Sequence, residues 1–223
     1  MKHFTILTLF PDSLTSYFAT SIIKRAQEKK HIRIRMIDLR RWGMGRYKHA
    51  DDKPYGGGVG MVLMIEPLYK ALHAICNRRI KRTQRVILLS AKGKHFTQVD
   101  ARRLTNYDEL ICICGRYEGV DERITKFIDE EISIGDYVLT GGELGAAVIT
   151  DAVARLLPGV LGKDASSKDE SFAKIGEVEY PHYTRPEVFI TREGKKLHVP
   201  KILLSGDHKK IAAWREKKKK FCS

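Results

Sequence analysis

Two short apolar runs constrain the fold of this chain more than any other feature of its sequence. They lie within Arg85-Val-Ile-Leu-Leu-Ser90 and Leu110-Ile-Cys-Ile-Cys114. Strands that are apolar at every position are covered on both faces, as in parallel sheets flanked by helices. Helical patterns at 97–105, 120–130 and 143–156 alternate with these strands, as in βαβ units. The sequence therefore predicts an α/β fold, a parallel sheet with helices on both faces.

The N-terminal region shows strand and helix patterns up to about residue 38 and little regular pattern after that. Residues 3–9 predict a first strand and lack the features of a signal peptide. Asp12 predicts the cap of a helix that ends near Glu28. Alternating apolar residues over 31–38 predict a half-buried strand, with Ile32, Ile34 and Met36 on one face. The irregular stretch that follows contains Asp51-Asp-Lys-Pro-Tyr-Gly-Gly-Gly-Val-Gly60, which is too long for a simple connector.

The character of the sequence changes after Pro158-Gly159. Residues 162–170 are polar, with small and charged side chains, which is typical of a linker with little structure of its own. The remaining residues include a basic helical pattern at 209–220. We therefore expect a catalytic α/β domain at 1–160, a flexible linker at 161–180 and a small, basic, helical domain at 181–223.

The chain is strongly basic. Its 223 residues include 41 Lys and Arg against 27 Asp and Glu, a formal net charge of +14. Such an excess favours a polyanionic partner, because each phosphate that is neutralised releases counterions. No apolar stretch approaches the roughly 18 residues of a membrane helix, and the cysteines show no disulfide or zinc spacing. We expect a cytoplasmic protein with free thiols and no membrane association.

Six glycines lie close together where short apolar runs end. Glycine is typical where the backbone turns tightly or approaches a ligand. An ordinary strand-end turn explains any one of them, but the group predicts main chain packed against a ligand. The six are Gly115, Gly119, Gly135, Gly141, Gly142 and Gly145.

Several familiar catalytic motifs are absent. Gly93-Lys94 is followed by His95 rather than by the Ser or Thr of a phosphate-binding loop, and Gly58-Val-Gly60 is not completed as a dinucleotide fingerprint. No G-x-S-x-G occurs, and no His, Cys and carboxylate set has metal-ligand spacing. The sequence therefore disfavours NTPase, dehydrogenase, hydrolase and zinc-enzyme functions, and it assigns no metal ligand.

Seven longer motifs occur in the order seen in one enzyme family. They are Leu9-Phe10-Pro11, Asp51-Asp-x-Pro-Tyr-Gly-Gly-Gly-x-Gly-Met61, Gly115-Arg-Tyr-Glu-Gly119, Ser133-Ile-Gly-Asp-Tyr-Val-Leu139, Gly141-Gly-Glu143, Pro158-Gly-Val-Leu-Gly162 and Pro181-His-Tyr-Thr-Arg-Pro186. By these motifs the chain resembles the bacterial tRNA (guanine-N1)-methyltransferases, the TrmD family of the SPOUT class, over nearly its whole length.

The resemblance implies a function and an architecture. The family transfers a methyl group from S-adenosyl-L-methionine to N1 of the guanosine immediately 3′ of the tRNA anticodon. Its parallel α/β fold contains a C-terminal trefoil knot, which ordinary topology rules exclude. It works as a homodimer with active sites at the subunit interface. Whether a divalent ion assists stays open.

The resemblance also implies a binding site for the methyl donor, built largely from main chain. Glycines allow main-chain groups to reach the adenine edge without obstruction by side chains. The residues implied are Leu88, Leu89, Ser90, Gly115, Tyr117, Glu118, Gly119, Ile134, Gly135, Asp136, Tyr137, Val138, Leu139, Gly141 and Gly142.

Methylation of guanine N1 needs a base for the N1 proton and a group that stabilises charge on O6. The resemblance places a linker carboxylate and a helix arginine in these roles. The matching residues are Glu170, just before Ser171-Phe172, and Arg155. The family usually has aspartate at the first position, so the adjacent Asp169 is the alternative base, and a mainly orienting role for Glu170 is a further alternative.

His182, Tyr183 and Arg185 are candidates for placing the flipped guanosine and its phosphates. Packing within the C-terminal domain is the alternative role for His182 and Tyr183. Two rival functions remain for the whole chain. One is a SPOUT methyltransferase that acts on another RNA position, and the other is a non-catalytic RNA-binding protein, which predicts no donor binding.

Overall fold

The structure is a computed structural model that describes residues 1–76, 83–161, 171–172, 174 and 176–221. The chain forms two units, Met1–Lys163 and Asp164–Ser223. The candidate bases Glu170 and Asp169 lie outside the described residues.

The first unit contains seven strands and five α-helices among its described residues. The strands are β1 (Lys2–Thr8), β2 (Ile32–Asp38), β3 (Asp51–Asp52), β4 (Val62–Leu63), β5 (Gln84–His95), β6 (Glu109–Cys114) and β7 (Glu130–Ser133). The helices are α1 (Thr15–Phe18), α2 (Ser21–Glu28), α3 (Ile65–Ile75), α4 (Gln98–Leu104) and α5 (Glu143–Ala154). Short 3-10 helices occur at Pro11–Leu14, Leu39–Trp42 and Glu122–Phe127.

Five of the strands form one sheet in the order β2-β1-β6-β5-β7. Every neighbouring pair is parallel. One hydrophobic cluster packs side chains of α2, α4 and α5 on the sheet, and a second cluster packs α3 and two 3-10 helices. The prediction of a parallel sheet with helices is therefore confirmed. Both apolar runs are buried, as expected for strands covered on two faces.

Two predicted helices are wrong in extent. The helix predicted from Asp12 to Glu28 is three pieces, and the chain changes direction at Ser21, whose φ is +49°. Asp12 lies inside the first piece and does not cap it. The helix predicted at 120–130 is only the 3-10 helix Glu122–Phe127, and the chain then enters β7.

β5 extends beyond the predicted strand end at Ser90 and contains a break in register. It pairs with β7 through Leu89 and resumes the pairing at Lys94. The bulge between them places 90–93 at the carboxyl edge of the sheet. The ends of β6 and β7 lie at the same edge, because all these strands are parallel. Open parallel sheets bind ligands at this edge.

The described residues of the second unit form helices and two short antiparallel strand pairs. β8 (Glu177–Val178) pairs with β11 (Lys220–Phe221), and β9 (Val188–Ile190) pairs with β10 (Lys196–His198). Its helices are α6 (Lys201–Leu204) and α7 (His208–Lys218). Asp207 caps α7, since its carboxylate accepts a hydrogen bond from the Lys210 backbone N–H at 3.1 Å. The strand pairs were not predicted from the sequence.

Candidate functional site

A cavity of about 360 Å³ opens at the carboxyl edge of the sheet. Three segments form its wall: the β5 bulge, the residues after β6 and the residues between β7 and α5. Cavities that hold small molecules measure about 300 to 1,000 Å³. The parallel strand ends therefore build a site large enough for a small-molecule ligand.

Close main-chain contacts hold two of these segments together. The Gly142 N–H donates to the Gly115 carbonyl at 2.9 Å. A Cβ on Gly142 would lie 2.8 Å from the Cα of Cys114 and 2.9 Å from the Cβ of Leu89. No such approach occurs between real Cβ atoms and backbone, so position 142 requires glycine. The predicted close packing of main chain is present at this position.

Every residue predicted to hold the donor lines the cavity, apart from Asp136. The Asp136 carboxylate instead lies 2.7 Å from the Nε2 atom of His95. Gly145, one of the six glycines predicted to lie against a ligand, also lines the cavity. The wall further includes residues that were not predicted from the sequence, which are Ala91, Lys92, Arg116, Val120, Glu122, Glu131, Ile132, Ser133 and Thr140. Arg116 and Ser133 lie within the motifs that carry the family resemblance, so those motifs pointed to them.

Charged side chains on the wall are largely paired with each other or with the core. The Arg116 guanidinium contacts both carboxylate oxygens of Glu143 at 3.0 Å, and it lies over the Phe10 ring at 4.5 Å. Lys92 pairs with Glu122 at 3.1 Å. Beneath the wall, burial raises the pKa of the Cys114 thiol well above its ordinary value, so this cysteine is an unsuitable nucleophile.

Of the two proposed catalytic residues, only Arg155 lies within the described residues. Arg155 follows the last turn of α5, and its backbone N–H donates to the Asp151 carbonyl at 3.1 Å. It is half-buried. Glu170 lies outside the described residues. The catalytic roles of both residues stay predictions.

The three residues predicted to contact tRNA lie in the second unit. His182 contacts the Glu179 carboxylate at 2.7 Å, and its ring lies tilted against the Tyr180 ring, with the centroids 4.9 Å apart. Tyr183 lies 6.3 Å from the Trp214 ring. Both side chains therefore take part in packing within their own unit, yet both remain exposed. Arg185 is exposed as well.

Within the described ranges, no three His, Cys, Asp or Glu side chains are grouped closely enough to hold a metal ion. In the same part of the chain, no helix has both the length and the apolar character that a membrane crossing requires.

A parallel α/β unit with a glycine-lined cavity at its carboxyl edge is typical of proteins that bind small molecules. The sequence profile of the family described as tRNA (Guanine-1)-methyltransferase TrmD matches residues 1–222. The chain belongs to this family.

Individual relatives agree with the family match. A protein of Carboxydothermus hydrogenoformans, named tRNA (guanine-N(1)-)-methyltransferase, is 53% identical over 213 residues, which are 95% of this chain and 80% of that protein. Proteins of Bacillus cereus and Bacillus anthracis with the same name are 48% identical over 213 residues, which are 95% of this chain and 84% of each. The similarity therefore extends through both units.

Proposed function

We propose that this chain is a cytoplasmic S-adenosyl-L-methionine-dependent tRNA (guanine-N1)-methyltransferase that modifies the guanosine immediately 3′ of the anticodon. The observation that carries this proposal is the glycine-lined cavity, whose wall contains the family motifs around 115–119 and 133–142. The net charge of +14 supports a tRNA substrate.

The residues of the cavity suit the methyl donor. Its glycines leave main-chain N–H and C=O groups free of side-chain obstruction, as recognition of an adenine edge requires. Leu89, Ile134 and Leu139 add apolar surface to the wall, against which the adenosine would pack. When bound, the donor supplies an electrophilic methyl group on a sulfonium.

Side chains of the protein remove the N1 proton and stabilise the charge that develops on the guanine. In our proposal the Glu170 carboxylate accepts the proton of guanine N1 as the N1–methyl bond forms and the bond from methyl to sulfur breaks. The Arg155 guanidinium donates hydrogen bonds to O6, where negative charge develops as the proton leaves. His182, Tyr183 and Arg185 hold the flipped nucleotide and its phosphates. Asp169 is the alternative base.

We further propose a homodimer with active sites at the subunit interface. Leu144 and Val148 lie one turn apart on α5, so they share a helix face, and both are exposed. Val138, in the neighbouring loop, is 93% exposed. Exposed apolar side chains grouped beside a site are typical of surfaces that another chain covers.

The trefoil knot is also part of the proposal. β7 is the edge strand beside β5, whereas α5 packs against β6 and β1 on the other side of β5. The chain after β7 therefore returns across β5, and it meets the segment after β6 at the hydrogen bond between Gly142 and Gly115. This return supports threading of residues 134–161 through the preceding loop.

Labelled methyl transfer to unmodified tRNA transcripts tests the function. One transcript carries guanosine 3′ of the anticodon, and its matched control carries adenosine there. We expect label on the guanosine transcript alone, with N1 as the modified atom in a nucleoside digest. Equal labelling of both transcripts would support the rival methyltransferase that acts on another RNA position. No labelling, together with no donor binding, would support the non-catalytic RNA-binding protein.

A further inference from the structure

The glycine loop between β3 and β4 is joined to the cavity wall, a feature that the proposed function leaves unused. The Glu118 N–H donates to the Met61 carbonyl at 3.1 Å. The Leu63 N–H donates to the Gly119 carbonyl at 3.0 Å, and the Asp121 N–H donates to the Leu63 carbonyl at 2.9 Å. The end of the glycine loop is therefore fixed on the segment that carries Glu118.

One glycine of this loop lies directly against the Glu118 side chain. A Cβ on Gly60 would lie 2.7 Å from both the Cγ and the Oε1 atoms of Glu118. Glu118 lines the cavity. By contrast, a Cβ on Gly56 or Gly57 would have no neighbour within 4 Å. The side chain of Glu118 therefore occupies the space that any other residue at position 60 would fill.

We propose that Gly60 is a positioning residue for donor binding, because its missing side chain allows the Glu118 carboxylate to lie where it does on the cavity wall. This inference rests on the proposed function, since it takes the cavity as the methyl-donor site. S-adenosyl-L-methionine carries a positive sulfonium and a positive ammonium group. A carboxylate on the wall attracts them, and the attraction weakens as the distance grows.

The geometry predicts that a methyl group at position 60 moves Glu118 rather than the loop. The atoms in the way belong to the flexible part of an exposed side chain, whereas the following residue, Met61, is hydrogen-bonded through its carbonyl. A displaced carboxylate lies farther from the positive groups of the donor, and the attraction between unlike charges falls with distance. Displacement of Glu118 should therefore weaken donor binding about tenfold.

Gly60→Ala tests the proposal, and Gly57→Ala is its matched control. Both glycines have positive φ, +97° and +82°, so alanine strains the backbone at either position. Only position 60 adds the contact with Glu118. The measurement is titration calorimetry of S-adenosyl-L-methionine with the full chain and without tRNA. We expect the dissociation constant to rise about tenfold for Gly60→Ala and to stay at the wild-type value for Gly57→Ala.

A second pair of variants shows whether the effect passes through Glu118. In a Glu118→Ala background the side chain that Gly60→Ala displaces is already gone, so the added substitution should cause no further loss of affinity. An undiminished loss in that background would overturn the proposal, and so would equal affinities of Gly60→Ala and Gly57→Ala. If the wild-type chain itself binds no donor, the proposed function fails first, so the two failures are distinguishable.

Discussion

Arg116 and Glu143 form a two-point ion pair that joins the cavity wall to the protein core. The Nε atom of Arg116 donates to Oε1 of Glu143 at 3.0 Å, and its second contact, to Oε2, is also 3.0 Å. Glu143 is 3% exposed and accepts a further hydrogen bond from Thr8 Oγ1 at 2.5 Å. The end of β6, the start of α5 and the end of β1 therefore meet at one carboxylate.

Arg116→Met should destabilise the first unit strongly. It leaves the buried Glu143 carboxylate without its cation, and breaking a buried pair in this way costs about 3 to 5 kcal/mol. The free energy of unfolding from urea denaturation measures the loss. Lys24→Met is the control, because it removes an exposed pair with Glu28 at 3.8 Å and should cost less than about 0.5 kcal/mol. Equal losses for the two variants would contradict a special role for burial.

Two glycine variants should distinguish an effect on donor binding from an effect on the stability of the fold. A Cβ on Gly115 would meet its nearest neighbours, Leu89 O and Val120 Cγ1, at 3.6 and 3.7 Å, which are ordinary contacts. Gly115→Ala should therefore fold normally but weaken donor binding about tenfold, since its methyl group adds bulk to the cavity wall. Gly142→Ala should lose stability as well, because its Cβ would overlap the Cα of Cys114.

Thermal unfolding and donor titration of both variants check this prediction. Gly115→Ala is expected to keep the wild-type melting temperature, whereas Gly142→Ala is expected to melt at a lower temperature. Wild-type donor affinity in Gly115→Ala would mean that the ligand does not approach this part of the main chain.

Glu170→Gln should abolish methyl transfer while leaving the donor dissociation constant nearly unchanged. The amide cannot accept the N1 proton, but it has the size of the acid that it replaces. Asp169→Asn is the matched control, since it removes the neighbouring acid, and we expect it to retain most of the activity. Single-turnover rates and donor titration on the same preparations provide the comparison. Full activity of Glu170→Gln, with loss in Asp169→Asn, would move the base to Asp169.

The contribution of Lys2 to the stability of the chain should rise with pH. This side chain is 6% exposed, and its Nζ donates to the carbonyls of Leu104 and Tyr107. Burial lowers the pKa of Lys2 from 10.5 to about 8, partly opposed by the charge of Asp108. Below pH 8 both the folded and the unfolded state carry the proton, and the full cost of burying the charge is present.

Between pH 8 and 10.5 the Lys2 side chain is protonated more in the unfolded state than in the folded state, so its contribution to stability increases with pH. The unfolding free energy of the wild type, minus that of Lys2→Met, should grow by up to about 3 kcal/mol across this window. Urea denaturation at several pH values measures this difference, in which the titrations of other groups cancel. A constant difference would show that Lys2 keeps its ordinary pKa in the folded state.

The sheet was predictable because burial leaves a local pattern in the sequence. The alternation over 31–38 correctly placed Ile32, Ile34 and Met36 against the core. β7 was missed because its sequence, Glu130-Glu-Ile-Ser133, begins with two acids and resembles the end of a helix. Glu130 pairs with Ile87 in the sheet, and its carboxylate forms ion pairs with Arg85 and Arg103 at 2.8 and 2.7 Å. These partners are distant in sequence, so no local pattern shows them.

The candidate site was predictable in part of its membership but not in its internal contacts. All of the residues predicted to hold the donor except Asp136 line the cavity, but several wall residues, such as Lys92 and Glu122, were not predicted. The motifs could not show that Asp136 contacts His95 or that Gly60 contacts Glu118. Such contacts depend on the β5 register shift and on the path of the glycine loop, which are set by tertiary packing rather than by local sequence.

The glycine-lined wall has a consequence for chemical inhibition of this enzyme. A competitive inhibitor that binds to the main chain around Gly115 and Gly142 would contact backbone atoms, which a substitution of the side chain does not remove. At Gly142 the fold itself excludes a side chain, since a Cβ would lie 2.8 Å from the Cα of Cys114. A point mutation there could escape the inhibitor only by damaging the protein, so this part of the wall offers few routes to drug resistance.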